Sequence, residues 1–317
     1  AHHPVVLERR LVAKPWGGTA LAGWLGVSVE GEEPLGETWE VYDRPDGSNA
    51  LRGGGTLRDW LRQDMTGILG PGVVPGPGDT FPLLLKFIDA NEALSVQVHP
   101  DHAQAAEQGD GPKNEAWVVL DARSDARVIR GFRDGVSREQ VVEALDTPAL
   151  EGLMRTVEPK KGDTLRIDAG CVHAMGPGVV VFEVQQNSDI TYRMYDWGRG
   201  RELHLDDAVR AMTVEDDSPA LVDPVRIDES SQWLVRSPFY SVRRFDFDQP
   251  SSLPVEGSFK VLTVVEGACM LGWRGEGADA VPVAKGESVV VPALCEDVFV
   301  SPIGAVCLFW TDAGGKS

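Results

Sequence analysis

The sequence has few cysteines, no long apolar run and no apolar stretch at its start. Four cysteines in 317 residues include no Cys-x-x-Cys pair, which is typical of reduced, mostly buried thiols rather than of a disulfide framework. No run of 18 apolar residues occurs, so we predict no membrane span. The first residues, Ala1-His2-His3-Pro4, lack the hydrophobic stretch of a signal peptide. We therefore expect a cytoplasmic protein.

Positive charge is also scarce. The chain has 30 basic and 49 acidic residues, which gives a net charge of −19. Nucleic acids and anionic membranes bind basic surfaces, so the composition argues against both as partners. An anionic substrate would need a local basic island, which draws attention to Lys113 and Arg193.

The remaining composition indicates a mainly β, turn-rich globular protein. Hydrophobic residues make up 42% of the chain, with 35 glycines and 21 prolines. Short apolar runs between Gly, Pro and Asp turns predict a β-sandwich or β-barrel architecture. We predict strands at 126–132, 179–185, 240–247, 259–265, 288–291 and 305–311. Helical spacing and capping residues predict few helices, at 56–69, 137–145, 147–157 and 205–212.

An internal repeat indicates two β-units. Residues 161–173 align with residues 285–297 at an offset of 124 residues, which suggests duplication. In the second copy Asp297 stands at the position of His173, and Leu294 at that of Gly170. A linker-like stretch near 216–224 predicts a domain at 1–220 and another at 221–317. Because the second copy lacks the histidine and any Gln-x-His, we expect it to hold no metal.

The first copy carries a candidate metal site. Gln97 and His99 are two residues apart, so on a strand they project from one face. Glu115 would come from a neighbouring strand, and His173 follows two turns marked by glycine. This pattern predicts a cupin-type β-barrel in which two imidazoles, one carboxylate and an amide oxygen bind Zn²⁺ or another borderline metal. Such a site keeps a net positive charge and would favour an anionic ligand.

Other polar residues are candidates with open alternatives. His102 and His204 could support the site or lie at the surface. If residues 191–195 are extended, Arg193 shares a face with Thr191 and Tyr195. A guanidinium binds oxyanions and phosphates in a bidentate manner. It could equally bridge to Asp189 or Asp196 as a structural ion pair.

Several segments together resemble class I mannose-6-phosphate isomerases of the short bacterial form, which belong to the cupin superfamily. The likeness spans nearly the whole chain and includes the segments Lys14-Pro15-Trp16-Gly17-Gly18, Gly36-Glu37-Thr38-Trp39-Glu40, Phe81-Pro82-Leu83-Leu84-Leu85-Lys86, Leu94-Ser95-Val96-Gln97-Val98-His99-Pro100-Asp101, Lys113-Asn114-Glu115 and Ser188-Asp189-Ile190-Thr191-Tyr192-Arg193. The resemblance implies a double-cupin fold and zinc-dependent interconversion of mannose 6-phosphate and fructose 6-phosphate, with one Zn²⁺ per chain.

The resemblance also implies roles for individual residues. The metal ligands of the family match Gln97, His99, Glu115 and His173. Its catalytic arginine matches Arg193, and its active-site lysine matches Lys113, so both are expected to bind substrate. Two departures concern turns: Asn114 stands where the family often has Thr or Pro, and Asp168 replaces the proline of the general cupin turn.

The implied reaction removes a carbon-bound proton, passes through an enediol or enediolate, and returns the proton to the neighbouring carbon. A metal can stabilise the developing charge, while the general base stays open between Glu183, a metal-bound water and His99. Two other functions are also considered, a non-catalytic sugar or metal sensor and a metal cupin of the iron oxygenase type. The sequence leaves the oligomeric state open and is compatible with a monomer.

Overall fold

The computed structural model describes residues 2–28, 30–274 and 280–315. Within these ranges the chain forms many short strands and seven short helices, so the prediction of a mainly β protein is confirmed. The first strands are β1 (Val5–Val6), β2 (Arg10–Gly18), β3 (Leu35–Val41), β4 (Asp43–Arg44), β5 (Gly47–Ser48), β6 (Leu83–Ala90), β7 (Val96–Val98), β8 (Glu115–Ala122), β9 (Val128–Phe132), β10 (Met154–Val157), β11 (Thr164–Ile167) and β12 (His173–Met175).

The second half of the chain continues in the same way. Its strands are β13 (Val179–Gln186), β14 (Tyr192–Tyr195), β15 (Val225–Arg226), β16 (Ser231–Arg236), β17 (Ser241–Phe247), β18 (Ser251–Ser252), β19 (Lys260–Glu266), β20 (Ala268–Arg274), β21 (Val281–Ala284), β22 (Ser288–Val291), β23 (Glu296–Pro302) and β24 (Val306–Asp312). The helices are α1 (Ala20–Leu25), α2 (Leu57–Leu61), α3 (Met65–Leu69), α4 (His102–Glu107), α5 (Arg138–Ala144), α6 (Ala149–Leu153) and α7 (Leu205–Ala211).

The chain divides into two compact units. One, here the central unit, comprises residues 11–38 and 86–222, and the other, the C-terminal unit, comprises residues 1–10, 39–85 and 223–317. This division differs from the predicted ranges 1–220 and 221–317, because residues 1–10 and 39–85 group with the C-terminal unit. Whether either unit is a cupin domain stays a prediction.

Sheets of both units follow one pattern over six consecutive strands. In the central unit β8 lies between β11 and β13, and β9 lies between β10 and β12. In the C-terminal unit β19 lies between β22 and β24, and β20 lies between β21 and β23. Strands β8 to β13 thus correspond to β19 to β24, which supports duplication of one β-unit.

The turns of the internal repeat match in backbone detail. Gly162 and Gly286 both have positive φ, at 95° and 85°, a conformation that glycine adopts without steric cost. The Gly162 N–H donates to Val119 at 2.8 Å, and that of Gly286 donates to Val264 at 2.7 Å. Register then equates Glu115 of the central unit with Lys260 of the C-terminal unit.

The helices show where local patterns are sufficient and where they fail. Helix α5 begins at the predicted capping box, in which Ser137 and Gln140 bond reciprocally. The predicted helix 56–69 is instead two helices, because Asp64 caps α3 at the Gly67 N–H. The predicted helix 147–157 ends early, since residues 154–157 pair with β9. Helices α1 and α4 were not predicted.

Apolar side chains fill each unit. In the C-terminal unit the buried cluster includes Leu262, Val264, Val289, Val291 and Leu308. Burial of this kind is the main stabilising contribution in a fold of short strands. The described residues include no helix that is both long and apolar enough to span a membrane. All four cysteines are described, and each is a buried free thiol.

Candidate metal centre

Four predicted ligands converge in the central unit from distant parts of the chain. Strand β7 carries Gln97, and His99 follows the end of that strand. Glu115 begins β8 and His173 begins β12. The His173 Cα is directly opposite that of Gln97 in the antiparallel pair of β12 and β7. Directly opposite residues project from the same face of a sheet, so His173 and Gln97 share a face.

The side chains of His99, Glu115 and His173 form one buried cluster whose potential donor atoms lie within 4.8 Å of one another. The His99 Nε2 is 3.4 Å from Glu115 Oε2, and the His173 Nε2 is 3.4 Å from Glu115 Oε1. All three residues are at most 1% exposed. Two imidazoles and one carboxylate are a common ligand set for Zn²⁺ and related divalent metals.

Backbone carbonyls fix how the two imidazoles face the cluster. The Nδ1 of His99 lies 3.1 Å from the Ile190 carbonyl, and the Nδ1 of His173 lies 2.9 Å from the Cys171 carbonyl. A carbonyl accepts only, so each Nδ1 carries the proton and each Nε2 presents a lone pair to the cluster. Metal-binding histidines in proteins are oriented by partners of this type.

Ionisation of the cluster favours a cation. Burial lowers the pKa of His99 to about 3 and also lowers the pKa of His173, so both imidazoles are neutral near pH 7. Burial opposes ionisation of Glu115, but the positive charge of neighbouring Lys113 favours the carboxylate, and the pKa of Glu115 is lowered. The cluster is therefore a carboxylate with two neutral nitrogen donors.

The residues present fit a divalent metal. Among the described residues, His99 Nε2 and both carboxylate oxygens of Glu115 are buried without a hydrogen-bond partner. Buried polar atoms without partners are costly, and a buried carboxylate more so than a neutral group. One cation between these atoms would satisfy all of them together.

Gln97 lies beside this cluster. Its side-chain amide contacts His173 Nε2 at 3.3 Å through Nε2, and its Oε1 accepts from the Ser95 hydroxyl at 3.3 Å. A 180° rotation of the amide would turn Oε1 toward the cluster. The Ser95 hydroxyl could then accept from Nε2, because a hydroxyl both donates and accepts.

Two cations flank the cluster. The Lys113 Nζ lies 3.8 Å from Glu115 Oε2 and is buried. The Arg193 Cα is directly opposite that of Gln97 in the pair of β14 and β7. The Arg193 Nε lies 3.3 Å from the Ser95 hydroxyl, and one terminal nitrogen donates to the Glu202 carbonyl at 2.7 Å.

Arg193 does not form the structural ion pair with Asp189 or Asp196 that was considered above. Asp196 instead accepts from Arg199 and Arg201, with an Arg199 nitrogen 2.9 Å from Oδ1. Partial burial lowers the pKa of Arg193, and the charge of Arg201 adds to this effect. The guanidinium stays charged at any working pH. Arg193, Arg199 and Arg201 thus provide a basic island in an acidic chain.

A buried line of charges adjoins the cluster; the sequence analysis named Glu183 as one candidate base but did not identify its partners Lys86 and Glu37. The Lys86 Nζ lies 3.6 Å from Glu183 Oε1 and 3.9 Å from Glu37 Oε2. The other Glu183 oxygen accepts from the Trp117 indole N–H at 3.0 Å. The Trp117 ring contacts that of His173 edge-on, with centroids 5.5 Å apart. A lysine within the otherwise apolar run 83–88 was the available signal.

These neighbours set the charges of the line. Burial, followed by the negative charge of Glu115, raises the pKa of Glu183 to about 7. Burial alone would lower the pKa of Lys86, but Glu37 and Glu183 outweigh it and raise the pKa. Glu183 therefore exchanges its proton near neutral pH, next to a permanently charged ammonium group.

The two remaining histidine candidates lie outside the cluster. His102 begins α4 and is exposed. His204 precedes α7, and its Nδ1 accepts from the Arg193 backbone N–H at 3.3 Å. His204 thus contacts the segment that carries Arg193 rather than the predicted ligands.

The C-terminal unit replaces the cluster with an ion pair. Lys260, which corresponds to Glu115, is 2% exposed and lies 2.6 Å from Asp312 Oδ2. Asp297, which corresponds to His173, instead pairs with Arg274 at 3.0 Å on the surface. Within residues 2–28, 30–274 and 280–315, His99, Glu115 and His173 form the one group of such side chains that could hold a metal.

Comparison with known proteins places the chain in a family. The family model for phosphomannose isomerase type I, catalytic domain, matches residues 5–116. The chain is 30% identical to the mannose-6-phosphate isomerase of Streptococcus mutans over 91% of this chain and 92% of that protein. It is 31% identical to the mannose-6-phosphate isomerase ManA of Bacillus subtilis over 87% of this chain and 89% of that protein.

A solved structure agrees with the sequence relatives. The crystal structure of the mannose 6-phosphate isomerase from Bacillus subtilis superposes with a TM-score of 0.87 and 31% identity. The match covers 98% of this chain and 99% of that one. The chain therefore belongs to the type I phosphomannose isomerase family.

Proposed function

We propose that this protein is a metal-dependent aldose–ketose isomerase that interconverts mannose 6-phosphate and fructose 6-phosphate through an enediol or enediolate. The observation that carries the proposal is the buried cluster of His99, Glu115 and His173, with three donor atoms that have no hydrogen-bond partner among the described residues. Family membership supplies the class of substrate, a small phosphosugar.

The metal in this proposal is one Zn²⁺ per chain, held by His99, Glu115 and His173 with Gln97 as the fourth ligand. The Nε2 atoms and the carboxylate are the donors that zinc prefers. When bound, the ion would polarise the oxygens at C1 and C2 of the open-chain sugar and stabilise the negative charge that develops there. The neutral imidazoles leave the centre with a net positive charge.

Glu183 is our candidate for the group that moves the proton between C2 and C1. A pKa of about 7 suits a general base near neutral pH. His99 is less suitable because its pKa is lowered to about 3 and its Nε2 faces Glu115. In the forward direction the Glu183 carboxylate takes the C2 proton and returns it to C1, while the hydroxyl proton at C2 is transferred to the C1 oxygen.

Arg193 and Lys113 would bind the negative charges of the substrate. Lys113 is placed next to Glu115 at the centre, where an enediolate oxygen would form. The Arg193 guanidinium has a fork of donors that fits phosphate or an enediolate. Both side chains counter the strong net negative charge of the chain, which would otherwise repel a phosphosugar.

We further propose that the central and C-terminal units are both cupin-type β-barrels, of which only the central one binds metal. The matched strand pairing of β8–β13 and β19–β24 supports a common origin. The Lys260–Asp312 ion pair occupies the position where the second copy would need a carboxylate ligand. A cytoplasmic location, also proposed, is consistent with four buried free thiols.

An isomerisation assay tests the proposal. Purified protein is freed of metal with a chelator, reloaded with Zn²⁺ and incubated with mannose 6-phosphate, and fructose 6-phosphate is followed with a coupled reductase. We expect turnover that depends on the metal. Absence of turnover with every divalent metal supplied, or tight binding of mannose 6-phosphate without conversion, would reject the isomerase and favour a sensor.

A further inference from the structure

The side-chain amides of Asn114 and Gln186 form a hydrogen-bonded pair, of which Asn114 is next to Glu115 in the chain. Asn114 stands between Lys113 and Glu115 in the chain and is 5% exposed. Its backbone N–H and side-chain Nδ2 both donate to Gln186 Oε1, at 3.2 and 2.7 Å. The Asn114 carbonyl accepts from the Gln186 backbone N–H at 3.1 Å. These three bonds fix the start of β8 against the end of β13.

The same asparagine reaches the turn that leads to His173. Its side-chain Oδ1 accepts from the Ala169 N–H at 2.9 Å. The next residue, Gly170, donates its N–H to the His99 carbonyl at 2.9 Å. One amide therefore connects the segment of Glu115 with the turn between β11 and β12, and that turn contacts the segment of His99.

Gln186 also begins the turn that orients His99. The Gln186 carbonyl accepts from the Ser188 N–H at 2.8 Å, and the neighbouring Gln185 amide donates to the Ser188 carbonyl at 2.7 Å. Two residues on, the Ile190 carbonyl accepts from His99 Nδ1. The amide pair thus holds the three segments whose spacing defines the cluster.

An asparagine suits this position for two reasons. It supplies a donor to Gln186 and an acceptor to Ala169 from one short, buried side chain. It is also uncharged, so it adds no charge beside Lys113 and Glu115. A hydrophobic residue would leave the Ala169 N–H without its partner, and a proline would in addition remove the backbone donor to Gln186.

We propose that Asn114 and Gln186 are positioning residues of the metal centre, which act by holding Lys113, Glu115 and the 168–172 turn in register. This inference rests on the proposed metal-dependent function. Neither residue hydrogen-bonds His99 Nε2 or the Glu115 carboxylate, so their effect is on how well these atoms are arranged before the metal binds. Partners outside the ligands commonly contribute roughly 10- to 100-fold to metal affinity.

The experiment measures the zinc dissociation constant by competition with a chromogenic chelator, together with thermal unfolding of the metal-free protein. We expect Asn114→Ala and Gln186→Ala each to weaken zinc binding by roughly 10- to 100-fold. The double variant should lose little more than the weaker-binding single variant, because both changes break the same bond between the side chains of Asn114 and Gln186. Gln186→Glu keeps the acceptor oxygen and is expected to retain zinc, whereas Gln186→Met keeps the packing but loses the acceptor.

Asn49→Ala is the matched control. Asn49 is also a fully buried asparagine; its amide donates to the Glu8 and Glu40 carbonyls at 3.0 Å, and its Oδ1 accepts from Tyr42 N–H at 2.7 Å. It belongs to the C-terminal unit. This variant should unfold at a lower temperature while its zinc affinity stays within about two-fold of wild type, as expected for independent sites.

The outcomes separate the two proposals. If the wild-type protein binds zinc, and Asn114→Ala and Gln186→Met both bind it with unchanged affinity, the positioning role is overturned and the isomerase proposal stays intact. An equal loss of affinity in Asn49→Ala would show general destabilisation and also overturn it. Failure of the wild-type protein to bind zinc would overturn the metal-dependent function and this inference with it.

Discussion

His173 and Gln97 lie directly opposite each other in the antiparallel pair of β12 and β7, and their side-chain nitrogens are 3.3 Å apart. The two residues are 76 positions apart in the chain. This one register brings His173 beside the segment of Gln97 and His99, and so helps to form the buried cluster. A shift by one residue would turn one side chain to the opposite face and dismantle the cluster.

Replacement of His173 tests that register chemically. We expect the zinc affinity of His173→Ala to fall by more than about 100-fold, because a ligand is removed rather than a supporting partner. Isomerase activity should be lost with it. Metal content after dialysis, measured by mass spectrometry, gives the result. His102→Ala is the control, since His102 is exposed and outside the cluster; zinc retained by His173→Ala would contradict the assignment.

Arg193 should affect turnover but not metal binding. Arg193→Ala is expected to keep its zinc and to lose about 100- to 1,000-fold in turnover, the usual effect of removing a group that stabilises developing charge. Arg193→Lys should recover only part, because a lysine lacks the bidentate fork. Steady-state kinetics and metal analysis are measured on the same samples.

A surface arginine serves as the comparison for Arg193. Arg210 is exposed and bonds Glu107 at 2.9 Å, and such exposed pairs contribute little. Arg210→Ala should leave turnover unchanged. Full activity in Arg193→Ala would remove its catalytic role, and loss of zinc there would reassign it to structural support of the ligands.

The charge of Lys86 should set the pH dependence through Glu183. A general base must be deprotonated, so activity rises with pH through the pKa of Glu183, which is about 7. The ammonium of Lys86 lowers this pKa, and its removal raises it. We expect Lys86→Met to move the acid limb of the pH–rate profile to higher pH by about one unit or more.

The control is Lys14, a second lysine near Glu37. Lys14 lies 4.0 Å from Glu37 Oε1 and is more exposed than Lys86. Lys14→Met should leave the acid limb in place, and Glu183→Gln should lower turnover by roughly 100-fold or more. A limb that Lys86→Met does not move, or that moves to lower pH, would argue against Glu183 as the base.

The C-terminal unit should make no contribution to metal binding. Asp297 has a positive φ of 48°, a conformation that asparagine tolerates and alanine disfavours. Asp297→Asn is therefore the cleaner change, and Asp297→Ala should show the same zinc content with somewhat lower stability. One zinc per chain is expected in both variants. A fall in metal content would revive a second site in that unit.

The sequence was sufficient where a short pattern determines local structure. Strand β22 lies at the predicted 288–291, and Ser137 begins α5 as its capping box indicates. The Gln-x-His pair and the glycine turns before His173 also indicated which side chains gather, although β8, which carries Glu115, lies in a different sheet from β7 rather than beside it. These features depend on neighbours in the chain, and neighbours are visible in a sequence.

Other features depend on partners that are distant in the chain. Residues 154–157 have a helical pattern, yet their backbone pairs with β9. The buried charge of Lys86 has a role only because Glu37 and Glu183 meet it from other strands. The grouping of residues 39–85 with residues 223–317 is likewise a matter of long-range contacts. No periodic pattern in the sequence indicates these long-range contacts.

The most direct test of the account is anomalous diffraction at the zinc edge from crystals of the zinc-loaded protein. We expect a single peak in the central unit, at about 2.0–2.2 Å from the Nε2 atoms of His99 and His173 and from a Glu115 oxygen, with the Gln97 amide oxygen completing the set. A peak bound by other residues, or none between these four side chains, would contradict the central claim.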